Sequence, residues 1–452
     1  MAGADGRPAP TRGARRKFGT GRRLGEQISG LADRVASWAE SETQHGSGVS
    51  SGPTTRRCPY CTERIDLRGC AVVSVAGAAA QGGAGFDDGG DSTPRGDTNA
   101  RTGRGPDATI NGYPVLREAQ SGQNGQASTT MFGELLAGGR GPALTPLTQI
   151  ASPARMPRRL CESCQHVLPP ELDELDTRFL AVVGITGAGK THYLAQVLTE
   201  ATRRGTLVRF GCSEFAATDA DKTAAALHTS YYTPVFRRRS VFEPTLPTRA
   251  PRQFSFTATV RGQRFLLVTH DIAGESFADH DQRAQQLTFL RHADAMIFLL
   301  DPIEFDALRA RLPSDLIGPD KPADQVHLLR QCLRELDETS THEVPVRLVV
   351  AKSDLIATYC GMTGSWTRPA GPDWQADIEQ VSTDVQQLLI DLGESEVVRV
   401  LAARERTLFH AVSALGAPPG DDGLLSAAEP LRCSDPLGTA LVGMAMQPVT
   451  GR

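Results

Sequence analysis

From about Thr177 onward, short apolar runs alternate with stretches in which apolar residues recur every three or four positions. A strand covered on both faces reads as a continuous apolar run, while a covering helix is apolar on one side only, so this alternation predicts parallel strands joined by crossover helices. Strands are expected at Phe179–Val183, Phe254–Val260, Phe265–His270, Ala295–Leu300, Val346–Ala351 and Leu408–Val412, and helices at Thr191–Arg203, Gln282–His292, Val326–Thr339 and Trp374–Leu392. The N-terminal third reads differently. Residues 1–57 are polar apart from Leu24, Ile28, Leu31, Val35 and Trp38, whose spacing fits one short helix in an otherwise disordered arm. Residues 71–157 hold 16 of the 45 glycines with no sustained period, cannot offset their ordering entropy by burial, and are expected to be disordered. The plan is an arm over 1–57, a small cysteine-bearing module split between 58–70 and 158–170, the glycine-rich insertion 71–157, an α/β domain over 171–440, and a tail, 441–452.

Charge sharpens this division. The arm carries ten Lys/Arg against five Asp/Glu, so a net charge of -4 for 452 residues leaves -9 on the rest. An acidic body, and an arm without interleaved aromatic residues, argue against nucleic acid as the main partner. No run approaches the ~18 apolar residues of a membrane helix, and the first residues lack the apolar centre of a secretory signal, so a cytoplasmic protein is expected. Only Lys17, Lys190, Lys222, Lys321 and Lys352 are lysines among 48 basic residues. Where charge alone suffices this chain uses arginine, which makes each lysine a chemical clue.

Two of those lysines stand in motifs. The run FLAVVGITGAGKTHYLAQVL contains G-x4-G-K-T at Gly184, Gly189, Lys190 and Thr191, after an apolar strand and opening a helix, as a P-loop requires. Its glycines let backbone N–H groups turn inward around phosphates and the helix N-terminus adds its dipole. Lys190 can reach the β and γ phosphates and Thr191 can hold Mg2+, with Thr186, Gly187, Ala188 and His192 completing the phosphate-side residues. In RFLLVTHDIAGESF, Asp271 and Gly274 form D-x-x-G at a strand end. Asp271 suits the carboxylate that approaches a nucleotide-bound Mg2+, Gly274 an N–H facing the γ-phosphate, and Glu275 a side chain that orients water.

The second lysine belongs to the base side. In VPVRLVVAKSDL, Lys352 and Asp354 make K-x-D, in which the carboxylate can accept two hydrogen bonds from guanine while the lysine stem packs along the base. Ala351 stands where Asn or Thr is expected, so one loop-bracing polar contact is missing and an ATPase is the alternative. LFHAVSALG then supplies Ser413, Ala414 and Leu415 after a last strand.

Nine cysteines, at 58, 61, 70, 161, 164, 212, 332, 360 and 433, argue against a disulfide framework in a chain without a secretion signal. Cys58–Cys61 and Cys161–Cys164 are two C-x2-C pairs, 99 residues apart, able to complete one structural four-thiolate zinc site if the glycine-rich segment loops out between them. Cys70 and His166 lie close by but are not needed as ligands.

Together GITGAGKT, DIAGE, AKSD and VSALG, preceded by the cysteine pairs, resemble a TRAFAC-type P-loop GTPase, and more closely the bacterial double-GTPase family with an N-terminal zinc ribbon, over residues 58–70 and about 158–440. The resemblance implies a P-loop NTPase fold with a mostly parallel sheet, GTP with Mg2+ as ligand, structural zinc, and a switch I threonine, for which Thr245 and Thr248 both remain open. It implies a molecular switch of low intrinsic turnover in a bacterial conflict or signalling system, acting on a partner protein that is a second GTPase in some such systems. A zinc-ribbon adaptor with a structural nucleotide site is the competing reading.

Overall fold

The computed structural model describes residues 55–75, 108–110, 113–116, 156–218, 228–237, 252–271, 288–317, 324–340, 342–417 and 429–447. Of the arm only Thr55–Arg57 are described, and they form a strand; its expected amphipathic helix lies outside the described residues. Strand β1 (Thr55–Arg57) pairs antiparallel with β2 (Arg64–Asp66) around the first cysteine pair. The four short strands β3 (Val72–Val75), β4 (Ala108–Ile110), β5 (Tyr113–Leu116) and β6 (Met156–Arg159) form a small sheet in the order β4-β5-β3-β6. This corrects the expectation for part of 71–157, whose remaining residues are outside the description. The β-branched run VVSV of β3 lies beside the residues leading into the second cysteine pair, so β6 returns the chain along β3, Val72 opposite Arg159.

The main sheet has seven strands: β7 (Thr177–Gly184), β8 (Cys212–Ala217), β9 (Arg252–Val260), β10 (Gln263–Asp271), β11 (Ala295–Leu300), β12 (Val346–Val350) and β13 (Thr407–Ala411), in the order β13-β12-β11-β7-β10-β9-β8. The first five in that order run parallel, and β9 reverses against both β10 and β8. The fold is therefore mixed α/β, with a mostly parallel sheet flanked by helices. All eight residues of β7, all six of β11 and all five of β12 are buried, which is why these runs show no polar alternation.

Helices α1 (Lys190–Arg204), α2 (Gln325–Thr339), α3 (Trp374–Asp391), α4 (Ser395–Leu401) and α5 (Ser434–Ala445) account for most of the covering. Within the expected helix Gln282–His292 only residues 288–291 are described as helical. Val182, Ile297 and Arg347 are cross-strand neighbours and so share one face of the sheet. Arg347 donates from Nε to Thr439 Oγ1 at 2.9 Å and from Nη2 to Thr439 O at 2.8 Å, which makes this the face that α5 covers. Because α5 runs to Ala445, the expected boundary at residue 440 falls inside a helix. Its sequence SDPLGTALVGMA is buried from Asp435 to Met444 and so shows no polar stripe to mark it as amphipathic. On the opposite face Phe179 meets Phe289 edge-on at 5.4 Å, and His270 lies 3.9 Å from the same ring.

The chain leaves the central strand β7 in one direction to build β8–β10 and then crosses to β11 on its other side. The crevice at the carboxyl end of β7 is thus a topological switch point, where open α/β sheets bind ligands.

Candidate functional site

At that crevice Gly184 ends β7 and the loop 185–189 turns into α1. Gly187 and Gly189 have φ of 79° and 84°, a backbone that side-chain-bearing residues rarely adopt, so the turn depends on glycine at both. Lys190 is buried, and its ammonium donates to the carbonyls of Gly184 and Ile185, both at 2.8 Å. The charge therefore sits inside the ring of the loop. Thr191 and His192 follow on the first turn of α1. Burial, with the positive charge of Lys352 second, depresses the His192 imidazole to about 4, so it is neutral at physiological pH. Asp271 closes β10 in register with Val182, two residues before Gly184, and so ends at the same edge of the sheet. Gly274, Glu275, Thr245 and Thr248 lie outside the described residues.

The K-x-D and S-A-L segments meet the same edge from the next two strands. Ala351 N–H donates to Leu300 O at 3.0 Å and Ser353 N–H to Val412 O at 3.0 Å, which sets the loop after β12 between the ends of β11 and β13. Ser413 Oγ donates to Asp354 Oδ1 at 2.5 Å and accepts from Gly416 N–H at 2.8 Å. One hydroxyl thus orients the carboxylate and closes the loop that includes Ala414 and Leu415. Burial raises the Asp354 pKa above its ordinary value against the lowering effect of the Ser413 bond. The loop is tied back by a bridge between Ser413 and Leu431 and by Arg432, which adopts φ 55° and binds Asp377 and Asp435 with bonds of 2.8–2.9 Å.

Sequence reasoning missed Asp301, immediately after β11. It is almost fully buried, its Oδ2 accepts from Lys352 Nζ at 2.7 Å, and the same oxygen would lie 3.7 Å from a Cβ placed on Gly187. The one available signal was an acid directly following the apolar run AMIFLL.

The two cysteine pairs converge on one another. The Sγ atoms of Cys58, Cys61, Cys161 and Cys164 all lie within 4.8 Å of one another, with Cys58–Cys164 and Cys61–Cys161 both 3.7 Å apart. A tetrahedral ion with metal–sulfur bonds of ~2.3 Å needs edges of ~3.8 Å, so the cluster fits a zinc ribbon. The two knuckles share one design. Thr62 (φ 63°) and Gln165 (φ 60°) each stand four residues after the first cysteine of their pair and donate N–H to its carbonyl, at 3.0 and 2.9 Å. Tyr60 of one knuckle stacks on His166 of the other at 4.7 Å, while Cys70 is buried outside the cluster. Burial pushes the Cys58 thiol up and takes Cys164 to about 12; at Cys161 burial is outweighed by backbone bonds from Cys164 and Ser163, which hold that thiol low. A divalent cation bound there would favour the thiolate form of the four cysteines and offset their negative charge. The ribbon is fastened to the main domain by Thr177 Oγ1 donating to Arg57 O at 3.1 Å and by the ion pair Arg56–Asp176 at 3.2 Å. Among the described residues no helix is long and apolar enough to cross a membrane.

A family model for Double-GTPase 2 matches residues 178–414, just over half of the chain. The chain is also 26% identical over 311 residues to SaeC of Mycolicibacterium smegmatis, a protein named as a candidate for ESX-1 scaffolding and assembly. That match covers 62% of this chain and 78% of the relative.

Proposed function

Because the chain belongs to the Double-GTPase 2 family, we propose that it is a nucleotide switch that binds GTP with Mg2+, hydrolyses it slowly, and signals the bound nucleotide to a protein partner in a bacterial system. The observation that carries this reading is the meeting of two half-sites at one sheet edge. A glycine loop built around the Lys190 ammonium ends β7, and an oriented Asp354 carboxylate with Lys352 beside it ends β12.

In this reading the N–H groups of residues 186–191 and the Lys190 ammonium hold the phosphates, Thr191 and Asp271 serve Mg2+, and the Asp354 carboxylate accepts the two guanine donors. Ala414 and Leu415 line the far side of the base. Gly274 and Glu275 remain the sequence candidates for a γ-phosphate N–H and for orienting water, and Thr245 or Thr248 for the switch I hydroxyl. Mg2+ held by Thr191 and Asp271 would supply charge neutralisation on the bound triphosphate. Structural zinc in the four-cysteine cluster fixes the ribbon as a contact surface. The scaffolding named for SaeC supports a protein partner, and the acidic body away from the arm speaks against nucleic acid in that role.

An ATPase is the second reading, favoured by Ala351, which is buried and brings no polar atom to the base loop. Competition of GTP and ATP against a fluorescent guanine nucleotide separates the two. Lys190→Ala should abolish tight triphosphate binding, since the loop loses its one mobile cation; unchanged affinity in that variant would sink the phosphate-site assignment.

A further inference from the structure

Lys352 adopts φ 47° and ψ 38°, a left-handed backbone that is unfavourable for a non-glycine residue and persists only where surrounding contacts over-determine it. In a base-binding loop a polar side chain at position 351 would help to do this, and Ala351 has none. The contact that is present comes from another strand. Asp301 is clamped by Gln325, whose Oε1 accepts from Asp301 N–H at 2.7 Å and whose Nε2 donates to Asp301 O at 3.0 Å. Its Oδ1 accepts from Ile303 N–H at 3.1 Å, capping the next turn. With backbone and one carboxylate oxygen thus committed, Oδ2 has a single orientation, and it meets Lys352 Nζ at 2.7 Å beside Gly187.

We propose that Asp301 is the positioning residue of the base loop: its carboxylate, fixed by Gln325 and Ile303, holds Lys352 in the pose from which the lysine stem packs on guanine, and so replaces the brace missing at Ala351. The inference rests on the GTP-binding reading above. Asp301 acts through Lys352 and does not touch the nucleotide. The pair joins β11 to the loop after β12 while lying beneath the phosphate loop, so base and phosphate halves share one anchor. A charge-assisted hydrogen bond from a partly exposed lysine to a buried, twice-anchored carboxylate is also short and directional, which suits a positioning role better than a fully solvated ion pair.

The test compares Asp301→Asn with the wild-type full chain. Asn keeps an acceptor for Ile303 N–H but removes the charge that orders Lys352. GTP affinity should fall about tenfold and the GTP-to-ATP affinity ratio should move toward one, while affinity for inorganic tripolyphosphate, which reports the phosphate loop alone, should change less than about twofold. A double-mutant cycle with Lys352→Gln should be strongly non-additive, Asp301→Asn having little further effect once the lysine is gone. If Asp301→Asn does not yield folded protein, judged by melting and zinc content, Asp301→Glu, with its carboxylate displaced by one methylene, must show the same loss of selectivity. Equal losses for GTP, ATP and tripolyphosphate, unchanged selectivity, or additivity in the cycle would overturn the inference while leaving the GTPase reading intact. A wild type that binds neither nucleotide removes both.

Discussion

Ser413→Ala deletes one hydroxyl that serves two partners, the Asp354 carboxylate and the Gly416 N–H. Ser413 is 1% exposed, and its hydroxyl donates to Asp354 Oδ1 at 2.5 Å and accepts from Gly416 N–H at 2.8 Å. A hydrogen bond to a charged group contributes about 1.5–3 kcal/mol, and a neutral one about 0.5–1.5 kcal/mol. Burial raises the folded-state pKa of Asp354 above its unfolded value, so the native state holds the proton more tightly and ionisation costs stability as pH rises through that interval. Ser413 opposes this rise, and its removal lifts the folded pKa further. The penalty of Ser413→Ala should therefore be full, about 1.5–3 kcal/mol, at a pH above both folded-state pKa values, and shrink toward the neutral-bond value as pH falls from the variant's folded pKa to the lower folded pKa of the wild type. For a domain of this size that is a melting decrement of roughly 3–12 °C at neutral pH. Denaturant unfolding of both proteins, zinc-saturated and stepped from neutral to acid pH, measures the difference, from which effects common to both cancel. A difference that does not vary with pH, or one below about 0.5 kcal/mol at pH 7.5, would refute the assignment of Ser413 as the hydroxyl that supports an ionised Asp354.

Three other outcomes are expected. Metal analysis should find about one zinc per chain, lost in Cys161→Ser/Cys164→Ser, and chelation should lower the melting temperature of the main domain, because the ribbon is bonded to the start of β7 through Arg56 and Arg57. Asp354→Asn should lower GTP affinity and favour xanthosine triphosphate in a competition assay, since the amide offers the base a donor where the carboxylate offered two acceptors; indifference to the base would favour the ATPase reading. Gly438→Ala would drive a Cβ into the buried Phe210 ring, which is itself packed edge-on against Trp374 at 5.2 Å, so thermal unfolding should show a loss of about 1–3 kcal/mol or more. An unshifted melting curve would mean that α5 does not pack as described.

The parts of this protein that were legible in its sequence are those whose conformation is set by neighbours in the chain. The glycines of the phosphate loop carry their own φ requirement between an apolar strand and a helix, and the two cysteine pairs carry the turn that brings i and i+3 thiols together. K-x-D and S-A-L were found because each follows an apolar run, and continuously buried strands are the easiest elements to see. Strand β8 was missed because it is a short edge strand, mostly exposed or half-buried, without a clean alternation. Helix α5 was missed for the opposite reason, being buried all round. Nothing local announced that β9 would reverse against its neighbours, or that Asp301 would meet Lys352 from 51 positions away. Each depends on which strand ends lie side by side, and that order is decided by packing the whole sheet, where long-range burial and pairing outweigh what any short run of residues prefers.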